Sequence, residues 1–210
     1  MSYRLAIFDC DGTLVDSYPW FQSVFAGVAR EFGLRGVDAE ERQLLRGLHP
    51  REILARVGIP LWQVPRLARR FRELKAKEAQ RLPLFPGVPE LLRDLARRGV
   101  PRAIVSSDVE ANVRSTLGPA NAALIDRYAC GASLFGKPPK LRQVLRHYAI
   151  PAAKALYVGD EVRDAEAARA VGIAFGGVPW GYATCEALLE QRPARLFGSM
   201  MEIAAAFSAA

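Results

Sequence analysis

Leu5-Ala6-Ile7-Phe8-Asp9-Cys10-Asp11-Gly12-Thr13-Leu14-Val15 places a short apolar run directly before two acids and a glycine. A run of this kind bounded by Gly reads as a buried strand, which sets Asp9 and Asp11 on the turn at its carboxyl end. Charge is expensive there. Two acids within a few ångströms of each other repel, and partial desolvation adds to the cost, so the pair requires a cation or a shared proton. A hard divalent ion such as Mg2+ takes oxygen ligands and is commonly bound by one or two carboxylates. The stretch therefore predicts a metal and chemistry, with Cys10 turned to the opposite side as a packing residue.

Working outward, the pattern becomes helical for about seventy residues. Phe21, Val24, Phe25, Val28 and Phe32 recur at helix spacing behind a Ser17 cap, with Gly33 as a stop. Asp38 with Glu41 starts a second helix that ends by Gly47, and His49-Pro50 opens a third that Gly58 closes. A fourth runs from about Pro65 to Arg81, with Leu67, Phe71 and Leu74 on one side and Arg69, Arg70, Arg72, Lys75 and Lys77 assigned to the other. From Pro86-Gly87 strands and helices alternate. Arg102 to Val105 runs into Ser106-Ser107-Asp108, with Asp108 as an expected N-cap for a helix over Glu110 to Leu117. A weaker strand region at Leu124-Ile125 and Tyr128 to Cys130 leads into a loop from Gly131 to Gly136, where Lys137 follows. Ala155 to Val158 reaches Gly159-Asp160, and Asp164 sits four residues on, sharing a face with Asp160 at a helix start. The expected closing elements are a strand at Ile173 to Phe175, a helix at Cys185 to Glu190, a short strand at Arg195 to Phe197 and a helix capped by Ser199 with Glu202.

Alternation of this kind implies an α/β fold with a Rossmann-like parallel sheet, and such sheets bind ligands beyond the carboxyl ends of their strands. Asp9, Asp11, Ser106, Lys137, Asp160 and Asp164 all fall there. Composition limits the alternatives. The chain has 210 residues, half of them hydrophobic, which suffices for one ordinary domain and a modest second one. Its net charge of +7 is concentrated in residues 17–85, which hold 13 Lys and Arg against 7 Asp and Glu. Solvated helix faces account for that excess, and no nucleic-acid module accompanies it. Three cysteines without paired spacing fit reduced thiols, and nothing resembles a zinc cluster. No leader and no membrane-length apolar run is expected, so the reading is a cytoplasmic protein without membrane or nucleic-acid partners.

Four motifs in this order, Asp9-Cys10-Asp11-Gly12-Thr13-Leu14-Val15, Ser106, Lys137, and Gly159-Asp160-Glu161-Val162-Arg163-Asp164, resemble those of the haloacid dehalogenase-like hydrolase superfamily. The resemblance is closest to its phosphoglycolate phosphatase-like branch with a small helical cap. It implies a catalytic core of residues 1–15 and 86–210 and an all-helical cap of residues 16–85. It further implies that Asp9 attacks phosphorus to give an aspartyl phosphate, and that Asp11 handles the protons of the leaving alkoxide and the attacking water. Mg2+ would be held by Asp9, the Asp11 carbonyl, Asp160 and Asp164, and Ser106, Ser107 and Lys137 would bind the phosphoryl oxygens. Lys140 is the alternative lysine. Arg46, Gly47 and Arg51, in the turn after the second cap helix, are the implied cap contacts to substrate.

Asp11 argues against the dehalogenase branch, because a halide leaving group needs no proton. The family usually places Asn or a small residue near Asp108, and a second acid facing the pocket would repel phosphate. The implied activity is hydrolysis of a small phosphomonoester, a phosphoglycolate-like or sugar phosphate, by a monomer or homodimer. The alternatives are a phosphosugar mutase of the same superfamily and a non-enzymatic binder of phosphorylated ligands.

Overall fold

The computed structural model describes residues 2–133 and 136–208. Leu134 and Phe135, in the loop expected between Gly131 and Gly136, lie outside the described residues, as does Met1. Six parallel strands form one sheet: β1 (Leu5–Phe8), β2 (Arg102–Val105), β3 (Arg127–Ala129), β4 (Ala155–Gly159), β5 (Ala174–Gly177) and β6 (Arg195–Leu196), in the order β3-β2-β1-β4-β5-β6. This is the Rossmann-like arrangement the alternation implies.

Both sheet faces are covered, so the strands read as continuous apolar runs, and their period of two divides them between two cores. Ala6, Phe8, Ile104, Leu156 and Val158 pack on one side; Leu5, Ile7, Ala103, Val105, Ala155 and Tyr157 pack on the other. The same alternation continues past the end of β1. Cys10 joins the Phe8 side and is fully buried, as its expected packing role requires, and Asp9 is aligned with Ile7. On the Phe8 side, α5 (Val88–Arg97) buries Val88, Leu91, Leu92 and Leu95, an i, i+3, i+4, i+7 stripe. It is accompanied by α6 (Glu110–Ala122) and α10 (Met200–Ala205). The other side carries α7 (Lys137–Tyr148), α8 (Val162–Arg169) and α9 (Cys185–Glu190).

Between β1 and α5 lie α1 (Tyr18–Glu31), α2 (Ala39–Leu45), α3 (Pro50–Val57) and α4 (Val64–Glu78). The starts of α2 and α3 match the expected signals. Asp38 accepts the N–H of Glu41 at 2.8 Å, and His49 and Glu52 form a reciprocal cap. The helices close over their own apolar cluster of Val28, Leu45, Leu54, Val57, Ile59 and Leu67. The chain enters and leaves this helical segment through one short antiparallel pair. Val15 bridges Leu84, Asp16 N donates to Pro83 O at 2.9 Å, and Phe85 N donates to Leu14 O at 3.0 Å.

Several local expectations shift. Ser17 sits at the head of α1 but its hydroxyl lies 3.2 Å from the Tyr182 hydroxyl and makes no cap hydrogen bond. The N-cap of α6 is Val109, not Asp108, and α6 breaks at Gly118, whose φ of 72° and ψ of 159° precede Pro119. Leu124 and Ile125 are not part of β3, which begins at Arg127. Lys137 is the first residue of α7 and not a loop residue.

Candidate active site

The chain runs β1, β2, β3 towards one edge and then returns to place β4 beside β1, which makes the carboxyl ends of these two strands a topological switch point. Asp9 leaves β1 there, and Asp160 follows β4. Asp164 lies in the first turn of α8, where its Oδ2 accepts the N–H of Glu161 at 3.1 Å. Asp9, Asp160 and Asp164 are each at most 2% exposed, and each offers an oxygen within 4.8 Å of the others.

One cation enters this cluster from the next layer. Lys137, buried at the start of α7, donates to Asp9 Oδ2 at 2.6 Å and to Asp164 Oδ1 at 2.5 Å. Lys137, not Lys140, is thus the lysine against the acids. Tyr157 Oη adds a third donor to Asp164 at 2.9 Å. Burial alone would raise the Asp164 carboxyl, but Lys137 and Arg163 outweigh it and hold it below the usual range. Asp9 behaves oppositely: burial pushes it up to about 7 despite Lys137, with Asp164 adding to the rise. Asp160 is pushed well above the ordinary carboxylate range by burial and then by Glu161 and Asp9, although Thr13 Oγ1 donates to it at 2.6 Å and Tyr182 N at 2.8 Å. Three buried acids around one lysine are under-compensated. That donor set, all oxygen and short of positive charge, fits a hard divalent cation.

The turn after β1 is shaped by the same cluster. Gly12 has φ +77°, and a Cβ there would lie 2.1 Å from Asp160 Oδ2; one on Gly181 would lie 2.2 Å from the same atom. Glycine lets both loops close on Asp160.

Asp11 does not join the three-acid group through its side chain. It turns towards the helical segment, where Lys75 of α4 donates to its two carboxylate oxygens at 2.6 and 2.7 Å. Lys75 also pairs with Asp108 at 2.9 Å. Lys75 is therefore not on a solvated face, as expected from sequence, but is 3% exposed. The signal was available, since Leu67, Phe71 and Lys75 are spaced i, i+4, i+8 and share the inward face of α4. Arg72 also leaves the solvated side, donating to Ser107 O at 3.1 and 2.7 Å. Asp108 does not cap α6: it accepts from Asn112 at 2.9 Å, pairs with Lys75 and lines the cavity.

Ser106 is buried just past the carboxyl end of β2, and its Oγ accepts the N–H of Asp108 at 3.0 Å. Arg46 donates to Gly181 O and Tyr182 O, both at 2.9 Å, and its own carbonyl accepts from Thr184 N at 3.2 Å. It thus ties the helical segment to the loop that holds Asp160. His49 makes a second tie, 3.0 Å from Glu166. Arg46 lines the cavity between the segment and the sheet, whereas Gly47 and Arg51 are not among the described residues that do. Thr13, Tyr157, Tyr182 and Lys75 are site residues to which sequence reading assigned no role.

A parallel sheet with three acids gathered at its switch point, a lysine against two of them and a helical segment packed over the first turn fits a hydrolase of phosphoric monoesters. The chain belongs to the haloacid dehalogenase-like hydrolase family, whose sequence profile matches residues 6–178. It is 35% identical over 188 residues to the phosphoglycolate phosphatase of Synechococcus elongatus, an alignment covering 89% of each chain. CbbY from Rhodobacter sphaeroides, solved in complex with phosphate, is 25% identical, with a TM-score of 0.69 over 96% of both chains. The hydrolase SP0104 from Streptococcus pneumoniae shares the fold, with 24% identity, a TM-score of 0.78 and 97% of both chains covered. Among the described residues no helix is long and apolar enough to cross a membrane.

Proposed function

We propose that the protein is a Mg2+-dependent phosphatase that hydrolyses a small phosphomonoester through an aspartyl phosphate on Asp9. The observation that carries this reading is the division of the two motif acids. Asp9 is buried among Lys137, Asp160 and Asp164, and Asp11 stands apart with its carboxylate towards the cavity. The relatives named as phosphoglycolate phosphatases support the same chemistry.

Asp9 is the nucleophile, and its attack splits one displacement into two easier ones. Asp11 gives a proton to the leaving oxygen in the first step and takes one from water in the second, a contribution of typically 10²–10⁴-fold. The proton Asp11 gives is one it has taken up from the monoester monoanion, and Lys75 holds the carboxylate left afterwards in place for the second step. Lys137 and the Ser106 hydroxyl hold phosphoryl oxygens, with Ser107 beside them. Asp9, Asp160, Asp164 and the Asp11 carbonyl would hold Mg2+, which when bound supplies positive charge between the anionic nucleophile and the anionic phosphate. Residues 16–85 act as a cap that excludes water from the first transfer, with Arg46 as one of its latches.

The test is release of inorganic phosphate from a panel of monoesters, with Mg2+ and with EDTA, by wild type, Asp9→Asn and Asp11→Asn. Stoichiometric phosphate release in Mg2+ alone is expected from wild type, none from Asp9→Asn, and slow turnover with accumulated phosphoenzyme from Asp11→Asn. Isomerisation without phosphate release, or an Asp9→Asn variant as active as wild type, would refute the reading.

A further inference from the structure

We infer that the alcohol released by this enzyme is apolar, an alkyl or arylalkyl alcohol, and not a hydroxy acid or sugar. The inference rests on the phosphatase reading above and concerns the half of the substrate that the phosphate-binding residues do not touch.

A cavity of about 370 Å³ opens beside the Asp11 carboxylate and extends into the helical segment. That size falls within the roughly 300–1,000 Å³ of ordinary ligand pockets. Its position fixes which part of the substrate it receives. Asp11 and Ser107 line it, whereas Asp9, Ser106, Lys137, Asp160 and Asp164 do not, so most of it lies on the side of the leaving group, beyond the phosphate.

Its walls are mostly apolar, with Gln22, Ser107, Asp108 and Glu161 as the uncharged polar and further acidic members. Phe21 and Phe25 of α1, Leu45 of α2, Ile53 and Leu54 of α3 and Phe71 of α4 project into it. The aromatic members form a connected set, with Phe21 ring centroids 5.6 Å from Phe25, 5.1 Å from Phe71 and 5.7 Å from Tyr182. A further ring can join such a set in tilted or edge-to-face contact.

Cations do reach the cavity, but each is engaged by the protein. Lys75 pairs with Asp11 and Asp108, Arg46 donates to two carbonyls, Arg72 donates to Ser107 O, Arg42 donates to Val37 O at 3.0 Å, and Arg163 pairs with Glu161. A glycolate carboxylate placed here would have to compete for these donors or be buried against phenylalanines, which is costly for an unpaired charge. The several hydroxyls of a sugar meet the same deficit. An apolar group gains by burial alone.

The experiment measures kcat/KM in Mg2+ for methyl, ethyl, propyl, butyl, pentyl and hexyl phosphates, for benzyl and 2-phenylethyl phosphates, and for phosphoglycolate and a hexose phosphate. Alkyl esters are used because phenols leave faster whatever the pocket. Burial predicts a rise of about fourfold per added methylene until the cavity is full, with 2-phenylethyl phosphate at least tenfold above phosphoglycolate. In Ile53→Trp, which fills the cavity, the dependence on chain length should flatten. The wild-type series decides the matter even if that variant does not fold. A flat series, or phosphoglycolate or the hexose phosphate preferred over every apolar ester, overturns this inference and leaves the phosphatase reading standing. No hydrolysis of any ester overturns both.

Discussion

Replacing Lys75 by Met tests whether the helical segment is held by charge or merely by apolar contact. The ammonium sits between Asp11 and Asp108, and its removal leaves two carboxylates facing each other with no cation between them. Breaking a buried pair by deleting one partner costs about 3–5 kcal/mol. Asp108 is 5% exposed and carries the full penalty, whereas the Asp11 side chain is 28% exposed and regains some hydration, so the lower end applies. About 3 kcal/mol corresponds to a Tm lower by about 6–12 °C for a chain of this size. Asp108→Asn in the same background removes the stranded charge and should restore part of the loss. A double-mutant cycle read by thermal unfolding should give a coupling of at least about 1.5 kcal/mol. Because Lys75 also orients Asp11, kcat/KM for any hydrolysed ester should fall by about 10²-fold, the effect of a small misplacement of a reacting group. A Tm unchanged in Lys75→Met, or strictly additive single and double variants, would refute the reasoning.

If the under-compensated acids hold a divalent ion, saturating Mg2+ should raise Tm. At a hundred times Kd the stabilisation is about 2.7 kcal/mol, and Asp160→Asn should abolish the shift; a wild-type melt indifferent to Mg2+ would count against the site. Gly12→Ala combines a left-handed φ with a Cβ 2.1 Å from Asp160 Oδ2. It should destabilise the fold by about 1–3 kcal/mol and weaken the Mg2+ response, and unchanged calorimetry would show that the turn is looser than described. Burial pushes the Cys130 thiol up to about 12 from an ordinary value near 9, which lowers its thiolate fraction near pH 8 by about 10³-fold. Cys10 is likewise raised, by its burial and by Asp11. Alkylation followed by mass spectrometry should find both unreactive in the folded protein and reactive in guanidinium; native labelling of Cys130 at the unfolded rate would contradict this.

The parallel sheet was legible because the information lies in short windows. Leu5–Phe8, Ala155–Gly159 and the acids after them declare themselves by apolar runs ending in Asp, and Asp38, His49 and Ser199 announce helices with a side chain three residues from its partner. Lys75 was not read because its partners, Asp11 and Asp108, are distant in sequence, and a basic residue among arginines looks solvated until the inward spacing of α4 is followed through. Asp108 was misjudged for the complementary reason. Local preference offers it α6 to cap, whereas an unpaired buried lysine is a stronger claim on a carboxylate than a helix end. Tyr182 and Tyr157 reach the site only once the sheet order is known, since a hydroxyl or an N–H donated across layers leaves no mark in the chain around it.

The antiparallel pairing of Val15 with Leu84 makes the helical segment, from the standpoint of the sheet, a hairpin with an outsized tip. Loop closure costs about 0.6 kcal/mol per doubling of length, so the step from a four-residue turn to roughly seventy residues adds only about 2.5 kcal/mol. The segment's own apolar cluster offsets that amount. The segment's core is its own, and it bears on the sheet through polar ties such as Lys75 to Asp11 and Asp108 and Arg46 to Gly181 and Tyr182, so a segment rebuilt between the same two crossings has those ties to reproduce while the acids at the strand ends stay where β1 and β4 put them.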